Sequence, residues 1–297
     1  MNTAAPDSSW PAVVRLLRPA HWVKNGFVLA PLVFSGRLLE AEVLGSAVEG
    51  FVAFCLASSA AYVLNDIRDR DRDSRHPIKS RRPLASGEVS LAMAMGLGLM
   101  LAAGGLATAW RVGPVFTLLL ASFLGLQAAY SLGLKQVVVV DVVAIAVGFV
   151  LRAAAGVVAV DARISGWLFL CTFLLALFLA LAKRRHEITL LGGDADGHRE
   201  VLGRYTKVAL DRSIGTVAVC TVVAYSIYAL WPAVAEKLGT ERLYLTIPFV
   251  VFGVLRYLFL VYGRAEGGNP TKVLLADLPL QAVVGCWGAT VLALLYG

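Results

Sequence analysis

The chain has 297 residues, 58% of them hydrophobic and only 16% charged, and a mean hydropathy of +0.74. A soluble domain of this size needs a polar shell that so little charge does not supply, which excludes an ordinary water-soluble enzyme or binding module. The net charge of +7 is therefore informative through its location.

The opening twenty residues (MNTAAPDSSWPAVVRLLRPA) lack the continuous apolar stretch of a secretory signal, so segment 1–21 is expected to stay in the cytoplasm. Beyond it, windows of about 20 apolar residues recur, each long enough to cross a hydrocarbon core about 30 Å thick. Backbone in lipid must satisfy its own hydrogen bonds, so the windows are predicted to be helices. A strand barrel would alternate polar and apolar residues, and runs such as Trp167–Ala182 do not. The windows fall roughly over 22–40, 45–65, 89–110, 114–132, 136–159, 165–182, 208–231, 243–262 and 274–296, nine in all. The first is the least regular, because Lys24 and Asn25 stand at its start. The expected fold class is all-α, a single transmembrane domain over 1–297. Cys55, Cys171, Cys220 and Cys286 fall inside these windows at irregular spacing, and read as small buried hydrophobes with no disulfide or zinc framework.

Loops after spans one, three, five and seven are short, whereas those over 66–88 and 183–207 are long and dense with charge. Of the 27 Lys and Arg residues, the short-loop side takes Arg37, Arg111, Arg163, Lys237 and Arg242, and Arg152 and Arg256 lie within spans. All the others gather on the side of the long loops. By the positive-inside rule that side is the cytoplasm, in a multi-pass protein of the plasma membrane.

The densest local signal is Asn65-Asp66-Ile67-Arg68-Asp69-Arg70-Asp71-Arg72-Asp73, at the end of the second span. If the helix continues, Asp66, Asp69 and Asp73 share one face at i, i+3 and i+7. Carboxylates held together repel unless a cation neutralises them, and all-oxygen ligands suit Mg²⁺, which bridges to substrate phosphates. The plainer alternative is a solvated helix end whose aspartates pair with the interleaved arginines. Just downstream, Arg75-His76-Pro77-Ile78-Lys79-Ser80-Arg81-Arg82-Pro83 sets cations in a proline-stiffened loop beside the acids, as a phosphate-rich ligand requires. Its alternative is a topology signal alone.

Tyr130-Ser131-Leu132-Gly133-Leu134-Lys135 closes the fourth span, and Lys183-Arg184-Arg185-His186-Glu187 closes the sixth, both at the same membrane face. Lys24 opens the first span there, and Tyr62 lies one turn before Asn65. Any one of these reads as a snorkelling lysine or interfacial tyrosine; their convergence points to a site. Asp141 and Arg152 sit eleven residues apart on the fifth span, facing the same way and too far apart to pair. Intramembrane charge favours a bundle interior or cavity, and for Arg152 a polar-cavity role and a helix-to-helix bond weigh equally. His21, His186 and His198 have no metal-ligand spacing and read as loop or interface residues.

With these residues in place, the chain resembles the UbiA superfamily of intramembrane prenyltransferases. The likeness rests on Asn65, Asp66, Asp69 and Asp73 after span two and on Tyr130-Ser131 with Leu134-Lys135 after span four. Within the superfamily, Leu17–Asn25, Arg75–Gly87, Leu181–Glu187, Asn269-Pro270 and Leu278-Pro279-Leu280 are similar to the decaprenyl-phosphate phosphoribosyltransferase branch. That resemblance implies transfer of 5-phosphoribose from phosphoribosyl pyrophosphate (PRPP) to a polyprenyl phosphate, with release of pyrophosphate, toward cell-wall arabinan precursors. It also implies that Asn65, Asp66, Asp69 and Asp73 hold Mg²⁺ on the PRPP pyrophosphate, the three aspartates being the catalytic set. Lys24, Tyr62, Lys79, Arg82 and Tyr130 are then expected to bind substrate, with Lys135, Arg152, Lys183, Arg184 and Arg185. Expected partners are these substrates and membrane lipids, not nucleic acid, and the reading admits a homo-oligomer.

Superfamily members that use prenyl diphosphate generally carry a second aspartate-rich motif after span six. Here Lys183, Arg184 and Arg185 open that position, Glu187 is its first acid, and Asp194 and Asp196 follow in a Gly-rich stretch. PRPP adds a 5-phosphate and the lipid acceptor another phosphate, so more cations and fewer acids suit this chemistry. A prenyltransferase acting on an aromatic acceptor is the alternative. A transporter is disfavoured, because no internal repeat is visible and the charges collect at helix ends.

Overall fold

A computed structural model describes residues 10–75, 79–162, 166–191, 205–263 and 268–297. Every regular element among them is helical, and eight helices are long and apolar enough to cross a membrane. The protein is therefore a multi-pass membrane bundle. The eight are α3 (Ala41–Ser74), α4 (Leu91–Val112), α5 (Pro114–Leu132), α6 (Val140–Ala159), α7 (Gly166–Leu191), α8 (Lys207–Leu230), α10 (Ile247–Gly263) and α12 (Leu278–Tyr296). A short 3-10 turn, Arg242–Thr246, leads into α10. Short helices α1 (Ala12–Leu17), α2 (Ala30–Val33), α9 (Pro232–Leu238) and α11 (Pro270–Ala276) link or precede them. The fourth predicted span matches its helix end to end; the helices of the second and sixth spans run nine residues past the predicted ends, and the remaining ones differ by a few residues.

α3 is the axis of the fold. Its small residues Ala47, Gly50, Ala53, Ala57, Ser58 and Ala61 are buried, which lets neighbouring backbones approach closely, as membrane helices require. At Gly105 of α4 an added Cβ would lie 3.1 Å from the Ala53 carbonyl oxygen, so that contact depends on the missing side chain. Phe54 of α3 meets Phe116 edge-on and Phe123 at a tilt, both from α5. On the other side, Phe178 of α7 packs edge-on against Tyr257 of α10. α4 and α12 turn most of their length outward, and residues such as Leu99, Met100, Leu118 and Leu230 present apolar side chains to the surroundings, as lipid-facing positions should.

The first predicted span, 22–40, departs from expectation. The chain there is a 3-10 segment, Pro19–Val28, followed by the single turn of α2. Pro19, Pro31 and Gly36 (φ +73°) interrupt a continuous helix. Irregular backbone at membrane depth survives only where protein surrounds it, and here α3 and α6 do so. Carbonyls left free by the break are satisfied by side chains: Ser59 Oγ donates to Leu17 O (2.9 Å), and Tyr296 OH donates to Val33 O (3.0 Å). Gly156 of α6 lies against the Val28 carbonyl, where a Cβ would come within 2.1 Å of the oxygen.

Cys55 is buried as expected, but Cys220 and Cys286 lie exposed on the outer faces of α8 and α12. A thiol is apolar enough to face lipid, so membrane position did not require its burial.

Candidate active site

α3 runs for 34 residues, about 51 Å at helical rise, so its last turns project beyond a core of about 30 Å. Because the helix does continue, Asp66, Asp69 and Asp73 turn inward while Arg68, Arg70, Asp71 and Arg72 are exposed. The ion pairs of these aspartates reach cations of other elements. Arg18, at the left-handed cap of α1, reaches Asp66. Arg82 Nη1 bridges Asp66 Oδ1 (3.1 Å) and Asp73 Oδ2. Lys135 Nζ, buried at the end of α5, donates to Asp69 Oδ1 (2.7 Å) and Asn65 Oδ1 (3.3 Å), and Ser131 Oγ also approaches Asn65. Each inward carboxylate is thus matched by a cation from a different element.

Among the described residues no three acidic, histidine or cysteine side chains converge on one point. The four expected metal ligands instead form two pairs, Asp66 with Asp73 on Arg82, and Asn65 with Asp69 on Lys135. Every donor atom is a hard oxygen, and each pair already focuses on one positive nitrogen. Such a set fits a hard divalent cation that takes few ligands from the protein.

The end of α7 carries the opposite pattern. Arg184 is 1% exposed and its three nitrogens are all engaged, Nε with Asp141, Nη1 with Glu187, and Nη2 donating to Tyr130 OH (2.8 Å). Tyr205 OH donates to the second Asp141 oxygen (2.7 Å). The Tyr130 hydroxyl, accepting from Arg184, keeps its own hydrogen for another acceptor. Arg185, one residue and about 100° further round the helix, turns away from this layer. It pairs with Asp211, donates to the Val261 carbonyl (3.3 Å) and stacks 4.3 Å over the Tyr262 ring. Arg185 thereby ties α7, α8 and α10 together, apart from the layer in which the other expected residues meet. Lys183 is more exposed and lies 3.9 Å from Glu187. Lys79 opens a half-buried turn beside the acids, while Asp194, Asp196, His76 and His198 lie outside the described residues.

Two turns below Asp66, about 12 Å along α3, a second polar cluster is buried in the bundle. Arg152 of α6 donates through Nε to Asn25 Oδ1 (2.8 Å), through Nη1 to Gly148 O (2.9 Å) and through Nη2 to Ser58 Oγ (3.4 Å). Its guanidinium carbon lies 4.4 Å from the Phe123 ring centre and 5.2 Å from that of Phe149. Asn25 Nδ2 donates to Cys55 Sγ (3.3 Å), and Ser58 Oγ donates to Asn25 Oδ1 (3.1 Å). Between the layers, Tyr62 is flanked by the His21 ring (5.4 Å) and the Arg18 guanidinium (5.1 Å). Burial, reinforced by Lys24, Arg18, Lys183 and Arg82, holds His21 down at about 3, so its ring is neutral near pH 7. Arg256, unassigned from sequence, makes a two-pronged ion pair with Asp277 (2.7 and 3.1 Å), which also caps α12.

Arg18, Asn25 and Ser58 join the site without a role having been assigned to them from sequence. Asn25 carried the one usable signal, a lone amide in an apolar window broken by prolines. Nothing local marks Arg18 or Ser58, since their partners are distant in sequence.

The bundle, with phosphate-compatible cations and acids at one end, is that of a membrane-embedded transferase. The chain belongs to the UbiA prenyltransferase family, whose sequence profile matches residues 28–275. Among curated relatives, the decaprenyl-phosphate phosphoribosyltransferase of Mycobacterium tuberculosis is 35% identical over 97% of this chain and 96% of its own length. The enzymes of that name from Mycolicibacterium smegmatis (34% identical, 99% of this chain, 96% of its own) and Corynebacterium glutamicum (32% identical, 95% and 86%) are similar throughout. In fold, a UbiA homologue from Archaeoglobus fulgidus bound to GPP and Mg²⁺ superposes with a TM-score of 0.72. It is 22% identical, with 96% of this chain and 100% of that one covered.

Proposed function

We propose that the protein transfers 5-phosphoribose from PRPP to a polyprenyl phosphate such as decaprenyl phosphate, releasing pyrophosphate, at the cytoplasmic face of the plasma membrane. The observation that carries this reading is the matching of Asp66, Asp69 and Asp73 by Arg18, Arg82 and Lys135, in a chain whose full-length relatives bear that activity's name. A site of interleaved, exchangeable charges suits a donor that brings both a metal-chelating diphosphate and further phosphate groups.

In this reading Asn65, Asp66, Asp69 and Asp73 hold Mg²⁺ against the PRPP pyrophosphate. The ion, when bound, neutralises negative charge that develops on the departing pyrophosphate. Arg18, Arg82 and Lys135 exchange their carboxylate partners for phosphate oxygens, Lys79 and Lys183 add charge around them, and Lys24 and Arg152 add charge deeper in the bundle. Tyr130, oriented by Arg184, donates its free hydrogen to a phosphate, and Tyr62 walls the pocket with His21. The C1–oxygen bond to pyrophosphate breaks through an oxocarbenium-like transition state, and an oxygen of the acceptor phosphate forms the new bond to C1. The acceptor is already an anion, so no general base is needed. In-line attack inverts the anomeric centre and gives a β-product from the α-donor. The product leads toward an arabinose donor for cell-wall arabinan.

Purified protein given Mg²⁺, PRPP and a polyprenyl phosphate is expected to yield phosphoribosylated lipid by mass spectrometry. Absence of that product, with turnover of a prenyl diphosphate onto an aromatic acceptor, overturns the reading in favour of a prenyltransferase.

A further inference from the structure

The inward-facing acids of α3 are all matched by cations, yet among the described residues no acid pairs with the cations below them, Lys24 and Arg152. Arg152 is buried in the bundle, and its three named acceptors, Asn25, Ser58 and the Gly148 carbonyl, are all neutral. Lys24 lies one residue before Asn25, within the electrostatic reach of both Arg152 and Arg18, and has no acidic partner among the described residues. His21 adds a buried Nδ1 with no hydrogen-bond partner. An uncompensated cation inside a membrane is costly, and two together more so, unless an anion completes the site. A purely structural tie between the 3-10 segment, α3 and α6 would be made as well by a neutral amide, without that cost.

Resting on the reaction proposed above, we propose that Lys24 and Arg152, with Asn25, Ser58, Tyr62 and His21, form a subsite for a phosphate monoester, separate from the diphosphate subsite of Asp66, Asp69 and Asp73. Ser58, Tyr62 and Asp66 follow one another at four-residue intervals on α3, so the two subsites stack along one helix face. The monoester brings the negative charge that the protein omits. Arg152 keeps two N–H groups beyond the three already bonded, and Lys24 keeps its whole ammonium. Two substrate phosphates share this chemistry, the 5-phosphate of the donor and the phosphate of the lipid acceptor.

Binding by the full-length protein in detergent tests the proposal, with ribose 5-phosphate, farnesyl phosphate and Mg²⁺–pyrophosphate as separate probes. Lys24→Gln and Arg152→Gln are each expected to weaken one monoester about tenfold or more, the effect of removing one charged hydrogen bond, while pyrophosphate binding changes less than about twofold. Loss of ribose 5-phosphate assigns the subsite to the donor, and loss of farnesyl phosphate assigns it to the acceptor. Unchanged affinity for both monoesters, or equal loss of pyrophosphate, overturns the subsite. Lys24→Gln decides the matter if Arg152→Gln does not fold, because Lys24 supports no ion pair among the described residues. Turnover of PRPP by the unmodified protein is measured in parallel. Lys24-dependent monoester binding without that turnover leaves the subsite standing and removes the reaction.

Discussion

The ends of α3 and α7 carry the same kinds of charge in opposite arrangements. At the end of α3 the acids come from the helix itself and the cations arrive from elsewhere. Arg18 and Arg82 remain 20% and 27% exposed there, although the third cation, Lys135, is 3% exposed. At the end of α7 the cation belongs to the helix, Asp141 comes from α6, and the pair is almost fully enclosed, at 1% and 0% exposure. A partly exposed ion pair is weakly held and easily exchanged, whereas a buried pair is costly to break. The first arrangement is suited to taking up a ligand, and the second to holding the frame around it.

Substitutions should separate the two. The largest effect is expected at the acids: Asp66→Asn should lower turnover by roughly 10²–10³-fold, the scale of one lost electrostatic stabiliser, with little change in thermal midpoint. A full-rate Asp66→Asn enzyme with unaltered Mg²⁺ dependence would sink the assignment. At the α7 end, Arg184→Met should instead cost about 3–5 kcal/mol of stability, because it strands the buried Asp141, a charge that adding Asp141→Leu removes. The double variant should recover much of that loss in a detergent melt, and failure to recover would show that the pair is not the frame. Arg82→Gln should act chiefly on the donor, raising its KM by about tenfold with a smaller loss of melting temperature than Arg184→Met.

The smallest expected effect concerns His21, which bridges the layers. Its neutral folded form has a value of about 3, against 6.5 for the ordinary side chain. Between those values the unfolded chain holds a proton that the folded chain does not, so stability should fall as pH drops below about 6.5. The loss is on the order of 1–2 kcal/mol at pH 5, and His21→Asn should flatten it in melts between pH 7 and pH 5. An unchanged slope would mean that His21 is charged in the folded protein.

The acid face of α3 was legible because helical periodicity fixes it within a few turns, and the long apolar windows gave the membrane bundle for the same local reason. The partners of those acids were less so. Arg82 was visible as part of the adjacent loop, but Arg18 reaches Asp66 across 48 positions, and Asp141 meets Arg184 across 43. The first window misled because hydropathy records the cost of transferring side chains and is blind to whether the backbone is regular. Prolines at 19 and 31 and the amide of Asn25 were the local signs. Likewise, the sequence placed Asp141 and Arg152 on one face of α6 without showing that one is answered by a buried arginine and the other by no acid among the described residues.

The contact between Gly156 and the Val28 carbonyl bears on how the protein is made. The stretch over 19–33 has no continuous ladder of its own to shield its amides from lipid. Its shelter comes from α3 and from α6, the latter more than a hundred residues downstream of it. During synthesis this early stretch should therefore wait near water until α6 has entered the bilayer, and seat itself only then. Staged nascent chains ending before Gly156 should leave a cysteine at position 24 open to a water-borne thiol reagent, and chains extending past α6 should hide it.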